Sequence, residues 1–572
     1  MEYKKIYDNW FNNKSLPNDL KEELLNISSD EKEIEYRFGA ELSFGTAGMR
    51  GIIGAGTNMM NVLTVKRATE GLSKYIVSLG KNAMKKGVVV SYDTRRNSQL
   101  FATATVSVLL AYGINVRIFK QPSPVPMLSY AVRTFKATAG VMITASHNPK
   151  EYNGYKVYGS DGAQMSPEAT EVVVNYIKRI ADYFNVKSVE YNQIKKQKGV
   201  KLLDTAFTDK YVNTLTKLSL SKQAVSKYGG KLKIVYTPLH GTGYVPVTKT
   251  LNKLGLNVSV VEEQVEPDTE FSTVEVPNPE NKEAMTLGVK LATKIGAGVV
   301  FGTDPDSDRL GVAIRNDNGE FINLSGNQVG VLLTDYVLRR LIEENKLNSN
   351  GVIIKSFVST GMVKPICDYY GVELIEVPVG FKFIGEKIKQ FEKDKTKTFL
   401  FGFEESCGYL RGTHARDKDA VVASMLFAEM VCYYEYLGVS VYTVLQDLYK
   451  IHGFSVEKTI SKNFKGLSAM NDMNKVVDKI RNANIKSVSG YDIVAVRDYL
   501  EGVRIFNDSK EVLDIKGVNC IYFELLGGGF ICLRPSGTEP KLKIYYSVIG
   551  KNIEKAEKAV EDLIKGFSEL LD

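Results

Sequence analysis

The sequence predicts an α/β protein built from three similar α/β domains with mixed, mostly parallel sheets, followed by a C-terminal α+β domain. Its 572 residues exceed what one hydrophobic core can organise. Short apolar runs alternate with helical segments over most of the chain, which favours parallel strands joined by right-handed crossovers. After about His452 the alternation gives way to shorter strands and a glycine run at 527–529, which indicates a domain of another kind.

The composition is typical of a globular protein, with 44% hydrophobic and 24% charged residues. Because no run of about 18 apolar residues occurs, we expect no membrane span. The amino-terminal stretch lacks the apolar region of a secretion signal. The cysteines are scattered along the chain without a CxxC pair, which favours free thiols and a cytoplasmic location. They are Cys367, Cys407, Cys432, Cys520 and Cys532.

The net charge of +8 is spread over a long chain and does not by itself indicate nucleic-acid binding. The most basic stretch, residues 187–201, lacks the interleaved aromatic residues of a single-strand binding groove. We therefore interpret it as a solvated loop between domains and expect no nucleic-acid partner. A basic excess also suits a site for doubly charged phosphate esters.

The first elements along the chain are helices. Residues 3–39 alternate charged and apolar side chains at helical spacing, which predicts surface helices. The next motif is FGTAGMRG, residues 44–51, whose glycines would let the backbone approach an anion closely. Its spacing matches neither a Walker loop nor the dinucleotide fingerprint, so ATP and NAD are not indicated.

The predicted strands fall into three sets, separated by helical segments such as residues 98–112. The sets are 87–93, 114–120 and 139–144, then 232–237, 258–262 and 297–302, then 352–358, 373–377 and 398–403. Each set ends in a polar loop, which suggests a weak threefold repeat of one α/β unit. The predicted domains are 1–210, 211–325, 326–450 and 451–572, and the last ends in a helix with its apolar face at helical spacing.

The serine motif TASHNP stands at the end of the third strand. Residues 139–144 are small, apolar and partly β-branched, which suits a strand covered on both faces. Ser146 follows at its carboxyl end, where open α/β sheets bind ligands. The alternative is an ordinary turn made by serine, asparagine and proline. A nucleophilic serine would also need an activating partner, for which His147 and Lys156 are candidates.

The acidic motif GTDPDSDRL places Asp304, Asp306 and Asp308 on alternate residues after an apolar strand. Such carboxylates repel one another unless a cation neutralises them, and an oxygen-only ligand set favours Mg²⁺ over zinc. An EF-hand is excluded because Arg309 and Arg315 stand where it needs glycine and glutamate. A solvated acidic turn remains the alternative.

Two further loops carry polar residues suited to a phosphosugar. RPSGTEPK, residues 534–541, offers an arginine fork, hydroxyls and free N–H groups for a phosphate dianion, although it also reads as a good turn. GFEESCGY, residues 402–409, offers carboxylates to sugar hydroxyls, although paired glutamates are more often surface charge.

Taken in this order, the loops resemble those of the α-D-phosphohexomutase superfamily, and most closely the phosphoglucomutases. Further matching stretches are EYNGYKVY, TPLHGTG, GFKFIGEKI and RDKDA. The resemblance covers essentially the whole chain. It implies that the four domains surround one central cleft.

The resemblance also implies roles for the matching residues. Ser146 would be the phosphorylated serine, with His147 and Arg50 beside it and Lys156 in acid-base work. Mg²⁺, one ion per chain, would be held by Asp304, Asp306, Asp308 and an oxygen of the phosphorylated Ser146. Substrate-binding roles would fall to Arg309, Gly380, Phe381, Lys382, Glu404, Ser406, Lys418, Arg534, Ser536, Gly537 and Thr538.

The activity implied is the interconversion of glucose 1-phosphate and glucose 6-phosphate through a phosphoserine enzyme, with glucose 1,6-bisphosphate as intermediate and primer. A mutase acting on pentose or mannose phosphates, a hexose-bisphosphate synthase, a metal-dependent phosphatase and a catalytically idle phosphosugar-binding relative are the alternatives. Val379 replaces the threonine usual in the family, and Cys407 and Tyr409 depart from the histidine-containing loop of phosphomannomutases. We expect a small phosphosugar substrate and a monomer or weak dimer.

Overall fold

The computed structural model describes residues 2–45, 48–464, 468–507, 509–536 and 540–571. The chain forms two compact units. The first unit comprises Met1–Gly326, Ile384–Lys395 and Ser406–Gly438, and the second comprises Asn327–Phe383, Thr396–Glu405 and Val439–Asp572.

The first part of the chain carries a six-stranded sheet and the helices that cover it. The elements are α1 (Glu2–Phe11), α2 (Asn18–Asn26), α3 (Glu31–Phe38), β1 (Gly48–Ile52), α4 (Val62–Ser78), α5 (Lys81–Lys86), β2 (Val88–Tyr92), α6 (Ser98–Ala111), β3 (Val116–Phe119), α7 (Val125–Phe135), β4 (Ala139–Ile143), β5 (Tyr152–Tyr158), α8 (Pro167–Lys178) and β6 (Val200–Leu203).

The order of this sheet is β1-β5-β4-β2-β3-β6. Strands β4, β2, β3 and β6 run parallel, while β5 is antiparallel to both β4 and β1. Every residue of β2 and β4 is buried, which explains their near-continuous apolar sequence. The core beneath the sheet includes Val90, Phe101, Val141 and Tyr155. The carboxyl ends of β2 and β4 therefore meet at one edge, where Ser146 follows β4.

A second sheet follows in the same unit. Its elements and preceding helices are α9 (Thr205–Leu215), α10 (Lys222–Tyr228), β7 (Lys233–Thr237), α11 (Tyr244–Lys253), β8 (Asn257–Val260), α12 (Thr286–Ile295), β9 (Val299–Thr303), β10 (Leu310–Arg315) and β11 (Phe321–Leu324). The sheet order is β11-β10-β9-β7-β8, parallel among β9, β7 and β8 and antiparallel at β10 and β11. Asp304 follows directly after the buried strand β9.

The third α/β region is shared between the two units. Its elements are α13 (Gly326–Glu343), β12 (Gly351–Ser356), α14 (Val363–Tyr369), β13 (Glu373–Val377), α15 (Phe381–Asp394), β14 (Thr398–Glu404), β15 (Gly408–Leu410), α16 (Ala420–Leu437) and α17 (Val441–His452). Strand β12 lies between β13 and β14 and is parallel to both. By length and composition α16 could cross a membrane, but 83% of it is buried inside the protein, which is typical of a core helix.

The C-terminal region is an antiparallel sheet with two helices. The elements are β16 (Phe454–Asn463), α18 (Ala469–Asn482), β17 (Ser487–Val488), β18 (Tyr491–Asp498), β19 (Val503–Phe506), β20 (Ser509–Val512), β21 (Ile521–Leu525), β22 (Phe530–Pro535), β23 (Lys541–Gly550) and α19 (Ile553–Leu571). The sheet order is β16-β23-β22-β21-β18-β19-β20, with β17 paired to β18. The apolar faces of α18 and α19 pack on it through Val477, Val560, Leu563 and Phe567.

The predicted fold class is confirmed, with three α/β regions of mixed sheets and a strand-rich C-terminal region. One local interpretation was wrong. Residues 187–201 are not only a solvated loop, because Tyr191–Lys196 form a 3₁₀ helix and Val200 begins β6, which pairs in parallel with β3. Four residues with two exposed side chains give too weak a pattern to identify an edge strand from sequence.

Gly154 generates a stability prediction, because it lies in β5 between two hydrogen-bonded neighbours. A Cβ added there would lie 2.5 Å from the carbonyl oxygen of Thr144 and 2.9 Å from that of Met49. Since neither backbone atom can swing away, Gly154→Ala should lower the free energy of unfolding by about 1–3 kcal/mol. Gly298→Ala is the control, because an added Cβ there meets nothing within 4 Å. Thermal melts followed by circular dichroism check this, and equal midpoints for the two variants would contradict it.

Candidate active site

Ser146 lies in a tight turn just beyond β4, and its side chain faces the acidic loop. Its hydroxyl donates a hydrogen bond to Asp304 Oδ2 at 2.8 Å and lies 3.2 Å from His147 Nδ1. The Ser146 N–H donates to Thr144 Oγ1 at 2.8 Å. Ser146 is only 4% exposed and has φ of +54°, a left-handed conformation that is unusual outside glycine. Residues 158 positions apart in sequence are therefore in direct contact.

The acidic loop forms a compact cluster of buried carboxylates. One ligand atom from each of Asp304, Asp306 and Asp308 lies within 4.8 Å of the others. Asp304 Oδ1 accepts backbone hydrogen bonds from Asp308 at 3.1 Å and Arg309 at 3.0 Å. Asp306 Oδ1 and Asp308 Oδ1 are buried without a hydrogen-bond partner. Buried carboxylate oxygens in this state are costly unless a cation approaches them.

Two lysines supply part of the opposing charge. Lys156 Nζ, from β5, lies 2.9 Å from Asp306 Oδ2. Lys418 Nζ lies 3.1 Å from Asp308 Oδ2 and 3.1 Å from Asp417 Oδ1. Both lysine side chains are largely buried, so solvent screens these pairs weakly.

The pKa shifts show how strongly the cluster resists full ionisation. Burial, together with the charges of Asp306 and Asp308, raises the pKa of Asp304 well above its ordinary value. Burial and Asp306 also raise the pKa of Asp308. Burial acts on Asp306 in the same sense, but Lys156 and a hydrogen bond from Asp304 outweigh it and lower the pKa of Asp306. Ionising all three carboxylates therefore calls for more positive charge than the lysines provide.

The donor set is compatible with a metal ion. Three carboxylates, two with buried oxygens that lack a partner, offer only oxygen ligands. Such a set suits a hard divalent cation. His147 adds no positive charge to the cluster, because burial and the nearby Arg309 and Arg50 lower the pKa of its imidazole to about 2.

The backbone of the acidic loop is held from two other elements of the same unit. Val125, at the start of α7, donates its N–H to the carbonyl oxygen of Asp306 at 3.0 Å. Thr242 donates both its N–H and its hydroxyl to the carbonyl oxygen of Pro305, each at 2.9 Å. A Cβ on Gly241 would lie 2.6 Å from Pro305 Cα, so glycine is needed for this close approach. The TPLHGTG motif thus supports the acidic loop.

Three further residues predicted to belong to the site, Arg50, Arg309 and Ser406, also lie in the first unit. Arg50, on β1, donates to Asn148 Oδ1 at 3.0 Å, in the loop that carries Ser146. Arg309 Nη1 lies 3.9 Å from Glu280 Oε2. Ser406 is partly buried and precedes β15. Of the residues in FGTAGMRG, residues 48–51 belong to β1, whereas Thr46 and Ala47 lie outside the described residues.

In the second unit, the structure brings Gly380 and Glu404 together. The Gly380 N–H donates to Glu404 Oε1 at 2.6 Å, and Gly380 has φ of +125°. Phe381 begins α15 and is buried, while Lys382 Nζ lies 4.8 Å from the ring centre of Phe383. Glu404 ends the buried strand β14, so its carboxylate sits at the carboxyl edge of that sheet.

The phosphate motif of the second unit lies at the end of β22. Arg534 pairs with Lys543 of β23 in the sheet register. Ser536 donates its N–H to the carbonyl oxygen of Lys541 at 2.8 Å. Gly537 and Thr538, also predicted to bind phosphate, lie outside the described residues.

Sequence reasoning missed Arg95 and Asp93, which follow β2. Their side chains are fully buried and form an ion pair at 3.3 Å. The signal was present, since a polar Asp-Thr-Arg run directly after an apolar strand matches the pattern that identified Ser146. The sequence alone could not place that run beside the serine, because this requires knowing that β2 is the strand next to β4.

Comparison with known protein families gives three matches in chain order. Residues 41–184 match the model described as phosphoglucomutase/phosphomannomutase, alpha/beta/alpha domain I. Residues 209–319 match domain II, and residues 325–452 match domain III. The matches contain Ser146, the three aspartates and Glu404 respectively.

Two solved structures show a similar fold. A putative phosphomannomutase from Thermus thermophilus has a TM-score of 0.67 at 23% identity, covering 93% of this chain and 99% of that one. The open form of the Paramecium phosphoprotein pp63/parafusin, a phosphoglucomutase, has a TM-score of 0.68 at 18% identity, covering 93% and 96%.

Curated relatives are more similar in sequence. A phosphoglucomutase of Staphylococcus haemolyticus is 36% identical over 538 residues, covering 94% of this chain and 95% of that protein. A phosphoglucomutase of Staphylococcus aureus is 36% identical over 543 residues, covering 93% and 95%. With identity at this level along nearly its whole length, the chain belongs to the phosphoglucomutase/phosphomannomutase family of the α-D-phosphohexomutase superfamily and is a phosphoryl-transferring isomerase.

Proposed function

We propose that this protein is a phosphoglucomutase that interconverts glucose 1-phosphate and glucose 6-phosphate through a phosphorylated Ser146. The observation that carries the proposal is the contact of the Ser146 hydroxyl, at 2.8 Å, with an aspartate of the buried triad. A hydroxyl held against candidate metal ligands, with Lys156 bound to the same triad, suits phosphoryl transfer rather than a structural turn.

The resting enzyme would carry phosphate on Ser146 after priming by glucose 1,6-bisphosphate. A phosphoserine carries about −1.5 to −2 charge at neutral pH, so it repels a substrate phosphate of similar charge. Asp304, Asp306 and Asp308 would hold one Mg²⁺ together with a phosphoserine oxygen. The ion, when bound, supplies Lewis-acid stabilisation of the charge on the transferring phosphoryl group.

Lys156 is the group we assign to proton transfer. In the first half-reaction the substrate hydroxyl attacks phosphorus as the bond from phosphorus to Ser146 Oγ breaks. The Lys156 ammonium, which pairs with Asp306, donates a proton to the departing Ser146 Oγ, and the amine that remains takes the proton of the attacking hydroxyl. Lys156 therefore ends the step as an ammonium, and the enzyme is left with a free serine and a bound bisphosphate. The second half-reaction reverses these steps with the other phosphate of the turned bisphosphate.

The remaining predicted residues would bind the substrate. We assign the sugar hydroxyls to Glu404 and Ser406, with Gly380, Phe381 and Lys382 of the neighbouring loop. The non-transferred phosphate is assigned to Arg534, Ser536, Gly537 and Thr538, since a planar guanidinium with hydroxyls and backbone N–H groups suits a phosphate dianion. Arg309 and Lys418, near the triad, are also assigned to substrate binding. His147 and Arg50 are assigned catalytic roles beside the phosphoserine.

Glucose is the proposed sugar because the curated relatives of 36% identity are named phosphoglucomutases. Cys407 supports this choice against mannose, since a buried, apolar thiol occupies the loop where phosphomannomutases carry a histidine-containing sequence. Val379 packs against an apolar cluster that includes Phe357 and Tyr499, so this position offers packing in place of a hydroxyl.

The purified protein with Mg²⁺ and glucose 1,6-bisphosphate should convert glucose 1-phosphate into glucose 6-phosphate faster than it converts mannose or ribose 1-phosphate. Ser146→Ala should lose this turnover because no acceptor oxygen remains, while its melting temperature stays close to that of the native enzyme. A coupled dehydrogenase assay measures the glucose reaction, and product analysis by mass spectrometry measures the others. Full activity of Ser146→Ala, or a preference for another sugar, would refute the corresponding assignment.

The acidic triad should determine the metal dependence. Asp306→Asn keeps the shape of the side chain but removes the charge that faces Lys156 and the metal site. We expect kcat to fall by about 100-fold or more, since metal stabilisation of the transition state is worth several kcal/mol. The heat of Mg²⁺ binding in calorimetry should also be lost. Asp317→Asn, at an exposed aspartate, is the control, and unchanged Mg²⁺ binding by Asp306→Asn would count against the triad as the metal site.

Replacing Lys156 separates charge from proton transfer. Lys156→Arg keeps the positive charge beside Asp306, but a guanidinium does not release a proton. We therefore expect kcat to fall by about 10²–10⁴-fold with little change in KM. Lys249→Arg provides the comparison, since Lys249 pairs with Asp209 at 2.7 Å on the exposed surface. Native kcat in Lys156→Arg would exclude the lysine as the proton carrier.

A further inference from the structure

Arg95 is a buried arginine beside the serine loop. It follows β2, the parallel neighbour of β4, so it emerges at the same sheet edge as Ser146. Its side chain is 0% exposed. A guanidinium in such a position must use its donors on protein groups, because water does not reach it.

The guanidinium donates to four backbone carbonyl oxygens of residues 146–152. Its Nη2 donates to the carbonyl oxygens of Ser146 and Asn148. Its Nη1 donates to Pro149 O at 2.9 Å and to Tyr152 O at 3.3 Å. One planar side chain thus holds the whole turn from the serine to the start of β5.

Arg95 is itself oriented from two sides. Asp93 Oδ2 lies 3.3 Å from Arg95 Nε, and Asp93 Oδ1 accepts hydrogen bonds from Ser98 Oγ at 2.6 Å and from the Arg95 N–H at 3.0 Å. The ring of Phe271 covers the guanidinium at 5.1 Å. Because both its edge and its face are fixed, the fork has little freedom to turn away from the serine loop.

The backbone of Ser146 explains what this clamp is needed for. Its φ of +54° is unfavourable for a residue with a side chain, so the turn needs support from its surroundings. Arg95 holds the carbonyl on one side of Ser146, while Thr144 Oγ1 accepts from the N–H on the other. In this conformation the hydroxyl points to Asp304, and Asn148 of the same turn receives Arg50.

We propose that Arg95 is a positioning residue, which holds the Ser146 turn in its left-handed conformation so that the hydroxyl stays aligned with the acidic triad. The proposal rests on the proposed function of Ser146 as phosphoacceptor. Lysine cannot replace arginine here, since three donors on one nitrogen do not span four carbonyl oxygens. Misplacement of a reacting group by about 1 Å costs about 10²-fold in rate, so the effect is expected in kcat.

The test compares Arg95→Lys with Arg96→Lys, which changes the adjacent, exposed arginine in the same way. For Arg95→Lys we expect kcat to fall by about 10²-fold, with KM for glucose 1-phosphate within twofold of native. Transfer of phosphate from glucose 1,6-bisphosphate to Ser146, followed by intact mass, should slow by a similar factor. Arg96→Lys should match the native enzyme in both measurements.

Hydrogen–deuterium exchange provides a readout that does not need activity. In Arg95→Lys, a peptide covering residues 144–152 should exchange faster than in Arg96→Lys, while peptides of the sheet core should not. If the native protein shows no mutase activity, the proposed function fails, and this exchange difference alone decides whether Arg95 orders the turn.

A second variant covers the case in which Arg95→Lys does not fold. Asp93→Asn keeps the acceptor for Ser98 but removes the charge that orients Arg95. We therefore expect a smaller fall in kcat and a smaller increase in the exchange of the 144–152 peptide than in Arg95→Lys. The proposal is overturned if a folded variant keeps kcat within twofold of Arg96→Lys, if the 144–152 peptide exchanges at the control rate, or if exchange rises equally throughout the protein.

Discussion

Burying three carboxylates in one short turn is the constraint on which the first unit depends. At low dielectric such charges repel strongly, and burial together with this repulsion raises the pKa values of Asp304 and Asp308. The chain tolerates the cluster because lysines approach from two separate segments and backbone donors fix the loop from α7 and the TPLHGTG motif. The same features leave carboxylate oxygens free for a cation. A cation bound to these oxygens would relieve the repulsion and, in the proposed reaction, would also stabilise the charge on the transferring phosphoryl group.

The two sheets of the first unit position the candidate site residues in the same way. Ser146 follows β4 and Asp304 follows β9, and in each case a fully buried strand delivers a polar turn at its carboxyl end. Rigid strands fix where each turn begins, whereas side chains from elsewhere fix its shape. Arg95 does so for the serine turn and Thr242 for the acidic loop. Precision in the site therefore comes from contacts between turns rather than from either turn alone.

Much of the fold was predictable because strand and helix patterns are local. The sets of strands, the helix at 98–111 and the change of architecture after His452 all appear in the sequence as apolar periodicity. Ser146 and the aspartates were identifiable as candidates for the same reason, and the resemblance assigned their roles. Other features depended on contacts that no local pattern contains. Strand β6 is stabilised by pairing with β3. Arg95 lies beside the serine turn only because β2 and β4 are neighbours in the sheet. The acceptor of the Ser146 hydroxyl lies 158 residues away.

Helix α16 has a consequence for how the protein is made on the ribosome. Asp419, at its start, accepts a hydrogen bond from Tyr211 at 2.7 Å, and Glu429, within it, accepts one from Ser219 at 2.6 Å. These partners are separated by 208 and 210 residues. At usual translation speeds of 5–20 residues per second, about 10 to 40 seconds pass between their appearances. During that interval the nascent first unit lacks one of its most apolar helices, and the surface that will receive it is open to chaperones and to other chains.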